Sequence, residues 1–520
     1  MSAADLIPLL PYLVIASTGL VVMLLLAIRR SRVATVMVTI AGLTVAIATA
    51  VWVADPDPRQ VTTLLVVDNF GLFFTALVCL AGIAVALLAY DYWPAETHLS
   101  EEFYLLMLFA VLGSAVLAGS VHFASLFLGL ETLSVSLYAM IAFQRTERTS
   151  IAIPSDGPSE AMLSDPVATG GAVGLGIEAG IKYLVLAAVS AAFMLFGMAL
   201  IYFESGSLLF SSLAGRAVAP TPVLIVGVCM LLVGIGFKLA LIPFHLWTPD
   251  VYQGAPVPTA AFVASVSKGA VFVLLVRFFA QGDLLHWPQM AGLIEVVAIA
   301  SMFVGNLLAL QQKNIKRILA YSSIAHMGYV LVALAAGGAR GVAAAAFYFV
   351  FYFISIIGAF AVVSIIARGP GESGEQDDAG DAAQAGDLSA YTGLAWQRPW
   401  LAAAMSAMLF SLAGIPLTIG FIGKFYVLTA GVSANRWALV IALVLSSVIA
   451  LFYYLRVIVT MYGGDERQLG SDLKPQLAVV KRGTTLASIA TLIALCLLLL
   501  GLGVYPTPVI LWVQDIASGL

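Results

Sequence analysis

Four ionisable side chains stand deep in apolar sequence, where a charge costs roughly 2.5–3.5 kcal/mol even on the lenient membrane-insertion scale. Glu131 lies in Gly129-Leu-Glu131-Thr-Leu-Ser, and Lys238 in Gly236-Phe-Lys238-Leu-Ala-Leu-Ile-Pro243-Phe-His245. Lys268 lies in Ser265-Val-Ser-Lys268-Gly, and Lys424 in Pro416-Leu-Thr-Ile-Gly420-Phe-Ile-Gly-Lys424-Phe. Desolvation disfavours an ammonium, so a lysine in such a place can release a proton near neutral pH, and a nearby carboxylate holds the proton on. A lysine whose acid partner moves away is thus a proton switch. Snorkelling suits a lysine within a turn or two of the interface. Lys268 and Lys424, with ten or so apolar residues on either side, do not fit it.

Two histidines extend the row. His245 is seven residues after Lys238 and so on about the same helix face. His326 follows Ser322 by four, and Ser265 precedes Lys268 by three. A single membrane histidine is more often a hydrogen-bonded core residue; two of them among three buried lysines point to a hydrated polar path. His98, His122 and His286 fall at loops or helix ends. No trio of residues has metal-ligand geometry.

The elements that must position these groups are membrane helices. The chain has 520 residues, 62% apolar and only 10% charged, against roughly 25% charged in an ordinary soluble domain. That excludes a soluble enzyme and a disulfide-stapled secreted domain, and a net charge of -4 leaves no basic footprint for nucleic acid. Apolar stretches fall at about 6–28, 33–53, 70–90, 102–119, 122–143, 178–203, 222–252, 257–280, 289–311, 315–336, 341–367, 399–433, 437–462 and 484–512. They lack the alternation of a membrane barrel. The predicted fold is therefore all-α and integral to the membrane, with about fourteen transmembrane helices. The segment Met1–Leu10 carries Asp5 and no Lys or Arg, so it reads as the start of the first membrane helix rather than a cleavable signal.

Loop charges give the orientation. With the N-terminus outside, Arg29, Arg30, Arg32, Arg145, Arg148, Lys182, Lys313, Lys316, Arg317, Arg368, Arg398, Arg467, Lys474, Lys481 and Arg482 face inward. Only Arg59, Arg216, Arg340 and Arg436 face outward. Arg277 and Arg456 sit a turn or two inside their helix ends and add one to each side. Both termini are then expected on the outer face of a bacterial plasma membrane.

Pro243 and Pro416 interrupt two long stretches, the seventh and the twelfth. Proline removes a helix hydrogen bond, and broken backbone in a membrane is tolerated where it lines a cavity. Paired breaks in two halves mark inverted-repeat transporters. Helices 4–8 and 9–13 are thus expected to form two inverted repeats. The predicted organisation is an N-terminal three-helix segment at 1–100, repeats at 101–280 and 281–463, and a C-terminal loop and last helix at 464–520. Two inward loops are long: Gln144–Ile177 is rich in Gly, Ser and Pro, and Gly369–Gln397, acidic and rich in Gly and Ala, is expected to be a mobile cytoplasmic loop. Gly174-Leu-Gly176-Ile-Glu-Ala179 matches a dinucleotide pattern, but no strand precedes it, so no nucleotide site is expected. The thiols Cys79, Cys229 and Cys496 are each alone in apolar sequence and read as small buried hydrophobes.

Phe237–Pro256, Gln312–Tyr329, Gly129–Ser134, Ser267-Lys268 and Gly420–Phe425 resemble the antiporter-like membrane subunits of proton-pumping NADH:quinone oxidoreductase, respiratory complex I. Glu178-Ala-Gly-Ile-Lys182-Tyr and a lysine at 424, where subunit M usually has glutamate, are most similar to subunit N. The resemblance implies that Glu131 and Lys238 form a coupling ion pair and that Lys268 is a central relay. It also implies that Lys424 is an outward exit and that His245 and His326 bridge these sites through water. It places no cofactor in this chain: NADH, flavin, iron–sulfur clusters and quinone would belong to other subunits. The implied partners are other complex I membrane subunits, especially neighbouring antiporter-like ones, and the lipid bilayer, with the proton as transported ion. A subunit of a multi-subunit cation/proton antiporter is the alternative.

Overall fold

An apolar run of about twenty residues in lipid must satisfy every backbone N–H and C=O within itself, which a helix does. The computed structural model describes residues 6–55, 58–93, 100–143, 171–214, 220–367, 386–463 and 486–519. Its first five helices are α1 (Leu10–Ile28), α2 (Arg32–Val53), α3 (Asn69–Tyr92), α4 (Ser100–Gly119) and α5 (Phe123–Ile141). They are followed by α6 (Gly171–Ser205), α7 (Pro222–Leu239), α8 (Trp247–Gly254) and α9 (Val257–Gly282). Next come α10 (Pro288–Leu310), α11 (Ile315–Ala336) and α12 (Gly338–Ile366). The last are α13 (Pro399–Ala413), α14 (Ile419–Ser433), α15 (Trp437–Tyr462), α16 (Leu486–Val504) and α17 (Thr507–Ser518).

Among the described residues thirteen helices are long and apolar enough to cross a membrane, and the shorter pair α13 and α14 makes one further crossing, fourteen in all. The chain is a nearly all-helical, multi-pass membrane protein, with one short strand pair, Arg59–Gln60 against Val66–Val67, among the described residues. The same order occurs twice: three unbroken crossings, one broken and one unbroken, first in α4–α9 and then in α10–α15. Five crossings is an odd number, so the second set enters from the opposite side and the repeats are inverted. The centre of the bundle is α9, α11 and α12, whose most apolar windows are 100%, 94% and 94% buried, whereas α1 and α2 reach only 33% and 28%.

The first break lies between α7 and α8. Ala240 takes a left-handed φ of 59°, and the Ile242–Pro243 bond is cis. The Phe237 carbonyl accepts from the Trp247 indole at 2.9 Å. The second lies between α13 and α14, where Gly414 has φ 83° and Leu417 φ 73°. Gly420 lets the two halves cross closely: a Cβ there would lie 1.9 Å from the Ser411 carbonyl oxygen. The last apolar stretch, read as one helix, is also broken, at Tyr505-Pro506 between α16 and α17. Proline at 506 and 508 was the available signal.

Two expected loops are partly helical or packed. Helix α6 begins at Gly171, so the last residues of the 144–177 loop, including the Gly174–Ala179 pattern, are helix and not a strand-to-helix turn. Gly386–Gln397 is not free loop either. The Gly386 carbonyl accepts from Ile315 N–H at 2.7 Å, and Leu388 N–H donates to Lys313 O at 2.8 Å, which fixes this segment against the start of α11. Residues 144–170 and 368–385 lie outside the described residues. Cys79 is fully buried; Cys229 and Cys496 are only half-buried.

Candidate functional site

The three lysines are buried as their sequence context requires: Lys268 is 0% exposed, Lys238 3% and Lys424 7%. Each is held by neutral oxygens. Among the described residues no carboxylate lies within ion-pair distance of any of them.

Lys238 is the next-to-last residue of α7. Its Nζ donates to Ser134 Oγ at 2.7 Å and to Tyr183 OH at 3.3 Å. It lies 5.0 Å from the centre of the Tyr183 ring. The expected buried ion pair with Glu131 is therefore not formed. Ser134, one turn beyond Glu131 on α5, occupies the inward position instead. Glu131 is half-exposed, on a face shared with Leu128 (60% exposed) and Val135 (59%). It is still near enough to act electrostatically on Lys238.

Lys268 follows a π turn at Val263–Ser267, a local widening of the helix that is frequent at functional sites. Its Nζ donates to Ser323 Oγ on α11 at 2.7 Å. Ser323 Oγ also bonds the hydroxyls of Tyr352 and Tyr252. Ser265, three residues before Lys268, does not join this group; its hydroxyl donates back to Ala261 O at 2.6 Å.

His326 is 1% exposed. Its Nδ1 shares a hydrogen bond with Tyr348 OH at 2.7 Å and its Nε2 with Tyr454 OH at 3.3 Å. Tyr454 OH in turn bonds Ser322, so the tyrosine joins the two residues whose spacing suggested one face. Lys268 and Lys424 both lie near enough to act electrostatically on His326. His245 sits inside the first break; its Nδ1 is buried with no hydrogen-bond partner, and no direct bond from it to either lysine is present among the described residues.

Lys424 Nζ donates to Ala413 O at 2.8 Å and Ser447 Oγ at 3.0 Å. Ala413 O is a carbonyl released by the second break. Lys424 Nζ also lies 5.0 Å from the centre of the Tyr329 ring. The space beside the glycines at 420 and 423 is filled, by Ser411 and Phe351 respectively.

The family described as NADH:quinone oxidoreductase/Mrp antiporter, transmembrane, matches residues 174–450. That span contains Lys238, His245, Lys268, His326 and Lys424. A chain of respiratory complex I from Thermus thermophilus with bound aureothin is 31% identical, covers 96% of this chain and 98% of its own length, and superposes with TM-score 0.74. The chain belongs to this family. Two further structures share the fold. One is the membrane-bound sulfane sulfur reductase, an archaeal respiratory membrane complex (22% identity, 98% and 97% coverage, TM-score 0.79). The other is the Mrp complex from Dietzia sp. DQ12-45-1b (21% identity, 100% and 98% coverage, TM-score 0.80). This is thus an antiporter-like membrane subunit of the complex I and Mrp kind.

In this antiporter-like subunit the buried phenols are what the reading of the sequence missed. Tyr252, Tyr352, Tyr348 and Tyr454 carry the hydroxyls that surround Lys268 and His326. Asn306 adds a second set: its Nδ2 donates to Tyr329 OH and Ser446 O, each at 2.9 Å, and its Oδ1 accepts from Tyr453 OH at 3.0 Å. A buried phenol needs a hydrogen-bond partner, so tyrosine within an apolar helix was the signal that could have found them. The buried pair of Arg277 and Asp68 was missed too. Arg277 Nη1 and Nη2 donate to the two Asp68 carboxylate oxygens at 2.6 and 2.8 Å, and its Nε and Nη2 to Ala118 O at 3.1 and 2.8 Å.

Proposed function

We propose that this chain is a proton-translocating subunit of respiratory complex I, in the place of subunit N. The observation that carries the reading is the row of buried lysines with neutral partners. A lysine bonded to hydroxyls can hold a proton or give it up without breaking an ion pair, and a hydroxyl both donates and accepts. Lys268, Ser323, Tyr352 and Tyr252 form one such group; Tyr348, His326, Tyr454 and Ser322 form the next; Lys424 follows. Protonation of one lysine amine repels the charge on its neighbour, since the intervening medium screens poorly. In this reading the proton enters from the inner side, passes Lys238 and Lys268, and leaves at Lys424 on the outer side, with both termini outside.

Identity supports complex I over its relatives: 31% to the complex I chain against 22% and 21% to the other two. Glu131 is partly open on the face of α5 that carries Leu128 and Val135, so a neighbouring membrane subunit can add a second electrostatic partner to Lys238. NADH oxidation, flavin, iron–sulfur clusters and quinone reduction belong to other subunits, and this chain supplies the path of the proton. A multi-subunit cation/proton antiporter is the second reading, favoured by the family description. Affinity purification through a tag on this chain tests both. A flavin- and iron–sulfur-containing assembly that reduces quinone with NADH and acidifies sealed vesicles is expected. An assembly without redox centres that exchanges cations for protons would reject complex I.

A further inference from the structure

A lateral cavity lies remote from the lysine row. It is a groove of about 550 Å³ between α3, α12 and the α16–α17 pair, open to the side of the bundle. Its walls include Leu80, Ala84, Phe353, Ile357, Leu498 and Val509. Thr491, which also lines it, turns its hydroxyl back to Ala487 O at 2.8 Å, so it offers no polar group. From Phe73 to Leu87 the groove follows α3 across fifteen residues, a rise of about 21 Å at 1.5 Å per step.

One end of this groove is polar. A second pocket of about 190 Å³ shares Phe73, Ala76 and Trp512 with it and adds Asn69 and Asp515. Asn69 Oδ1 has no hydrogen-bond partner. Asp515 is exposed and, among the described residues, makes no ion pair. Trp512, 49% exposed, stands edge-on to Phe73 at 4.8 Å, between the dry part and the polar end, the place where tryptophan concentrates at a membrane surface. Asn69 begins α3 and Asp515 lies in the last helix, so the polar end is on the side of the membrane that holds the C-terminal helix.

We propose that this crevice is a binding site for an ethanolamine phospholipid, acyl chain in the groove and ammonium at Asp515 and Asn69. Charge selects the headgroup. The polar end presents a carboxylate and a free amide oxygen, both acceptors, and no Lys or Arg lines it. An anionic headgroup meets repulsion there. A choline headgroup has the charge but no N–H to donate, whereas an ammonium has both. The site stands independently of the proton path and of which complex the chain serves.

The assembled membrane complex, purified through a tag on this chain, is the material for the test. The probe is phosphatidylethanolamine with a diazirine in its acyl chain, reconstituted beside phosphatidylglycerol and phosphatidylcholine carrying the same label. Labelling on α3 and α16 by the ethanolamine probe, several-fold above the other two, is expected. Ala84→Trp and Ala494→Trp, which fill the groove from opposite walls, each remove most of that labelling. Asp515→Asn, at an exposed position, keeps the acyl contact and loses the headgroup preference. Equal labelling by all three lipids, or labelling unchanged by both tryptophans, overturns the proposal. So does a cross-link from Leu80→Cys or Leu498→Cys to another subunit's helix, which would show protein in the groove.

Discussion

Asp68 with Arg277, and Lys268 with Ser323, are two ways of burying charge in one bundle. In the first, a guanidinium that never loses its proton faces a carboxylate bidentately, and both are nearly inaccessible at 1% and 8% exposure. Asp68 also caps α3 by accepting from Gly71 N–H at 2.8 Å. Every strong donor and acceptor is matched, so this pair is fixed structure tying α3, α4 and α9 together. In the second, an ammonium of equal burial meets hydroxyls and no acid. The difference teaches that burial alone does not mark a working charge. A buried charge with a full set of opposite partners holds helices together; one supported only by neutral oxygens is free to exchange its proton.

Removing one partner of the fixed pair breaks this comparison most severely. Arg277→Ala strands a buried carboxylate, at a cost of roughly 3–5 kcal/mol, and should abolish assembly, read as loss of the tagged complex from membranes. Arg277→Leu together with Asp68→Asn should recover a large part of it. Recovery of nothing would mean that the Ala118 carbonyl contacts, not the charge pair, hold the corner.

At the exchangeable lysine the outcome reverses. Lys268→Met should assemble normally and lower proton transfer at least about a hundredfold, the lower side of what a positioned acid–base group contributes. Lys268→Arg keeps the charge and should fail nearly as badly, because arginine does not deprotonate. Vesicle acidification by the arginine variant at the native rate would make Lys268 another fixed cation.

Lys424 lies between the two types. One of its partners is Ala413 O, an acceptor only, and the other a hydroxyl, Ser447. Lys424→Ala should assemble and lose proton transfer, but it also leaves a carbonyl of the broken helix unpaired, so its melting temperature should fall where that of Lys268→Met does not. Normal vesicle acidification without Lys424 would reject it as the exit.

Glu131 gives the smallest effect. With no direct bond to Lys238 and only partial exposure, Glu131→Gln should slow pumping only about two- to fivefold, the range of a partly screened charge pair. A loss as deep as that of Lys238→Ala would show that the neighbouring subunit buries this carboxylate.

Much of this was legible in the sequence because the lipid solvent imposes simple rules. Runs of twenty apolar residues gave the crossings, and Pro243 and Pro416 marked the two breaks beside Lys238 and Lys424. The break at Pro506 was overlooked because the apolar run around it is continuous enough to hide it. Gly386–Gln397 read as free loop because its ties to Lys313 and Ile315 are backbone bonds, which no side chain announces.

Composition and spacing alone determined that Lys238, Lys268, Lys424 and His326 would be buried, since a helix of apolar neighbours carries its charged residue wherever it goes. Which oxygen each charge would meet was decided only by tertiary packing. Lys238 and Ser134 are 104 residues apart, Lys268 and Ser323 are 55, and Arg277 and Asp68 are 209. Helical periodicity fixes which residues share a face, not which face of another helix lies opposite. One turn along α5, the three residues from Glu131 to Ser134, decides whether Lys238 finds a carboxylate or a serine, and here it finds the serine.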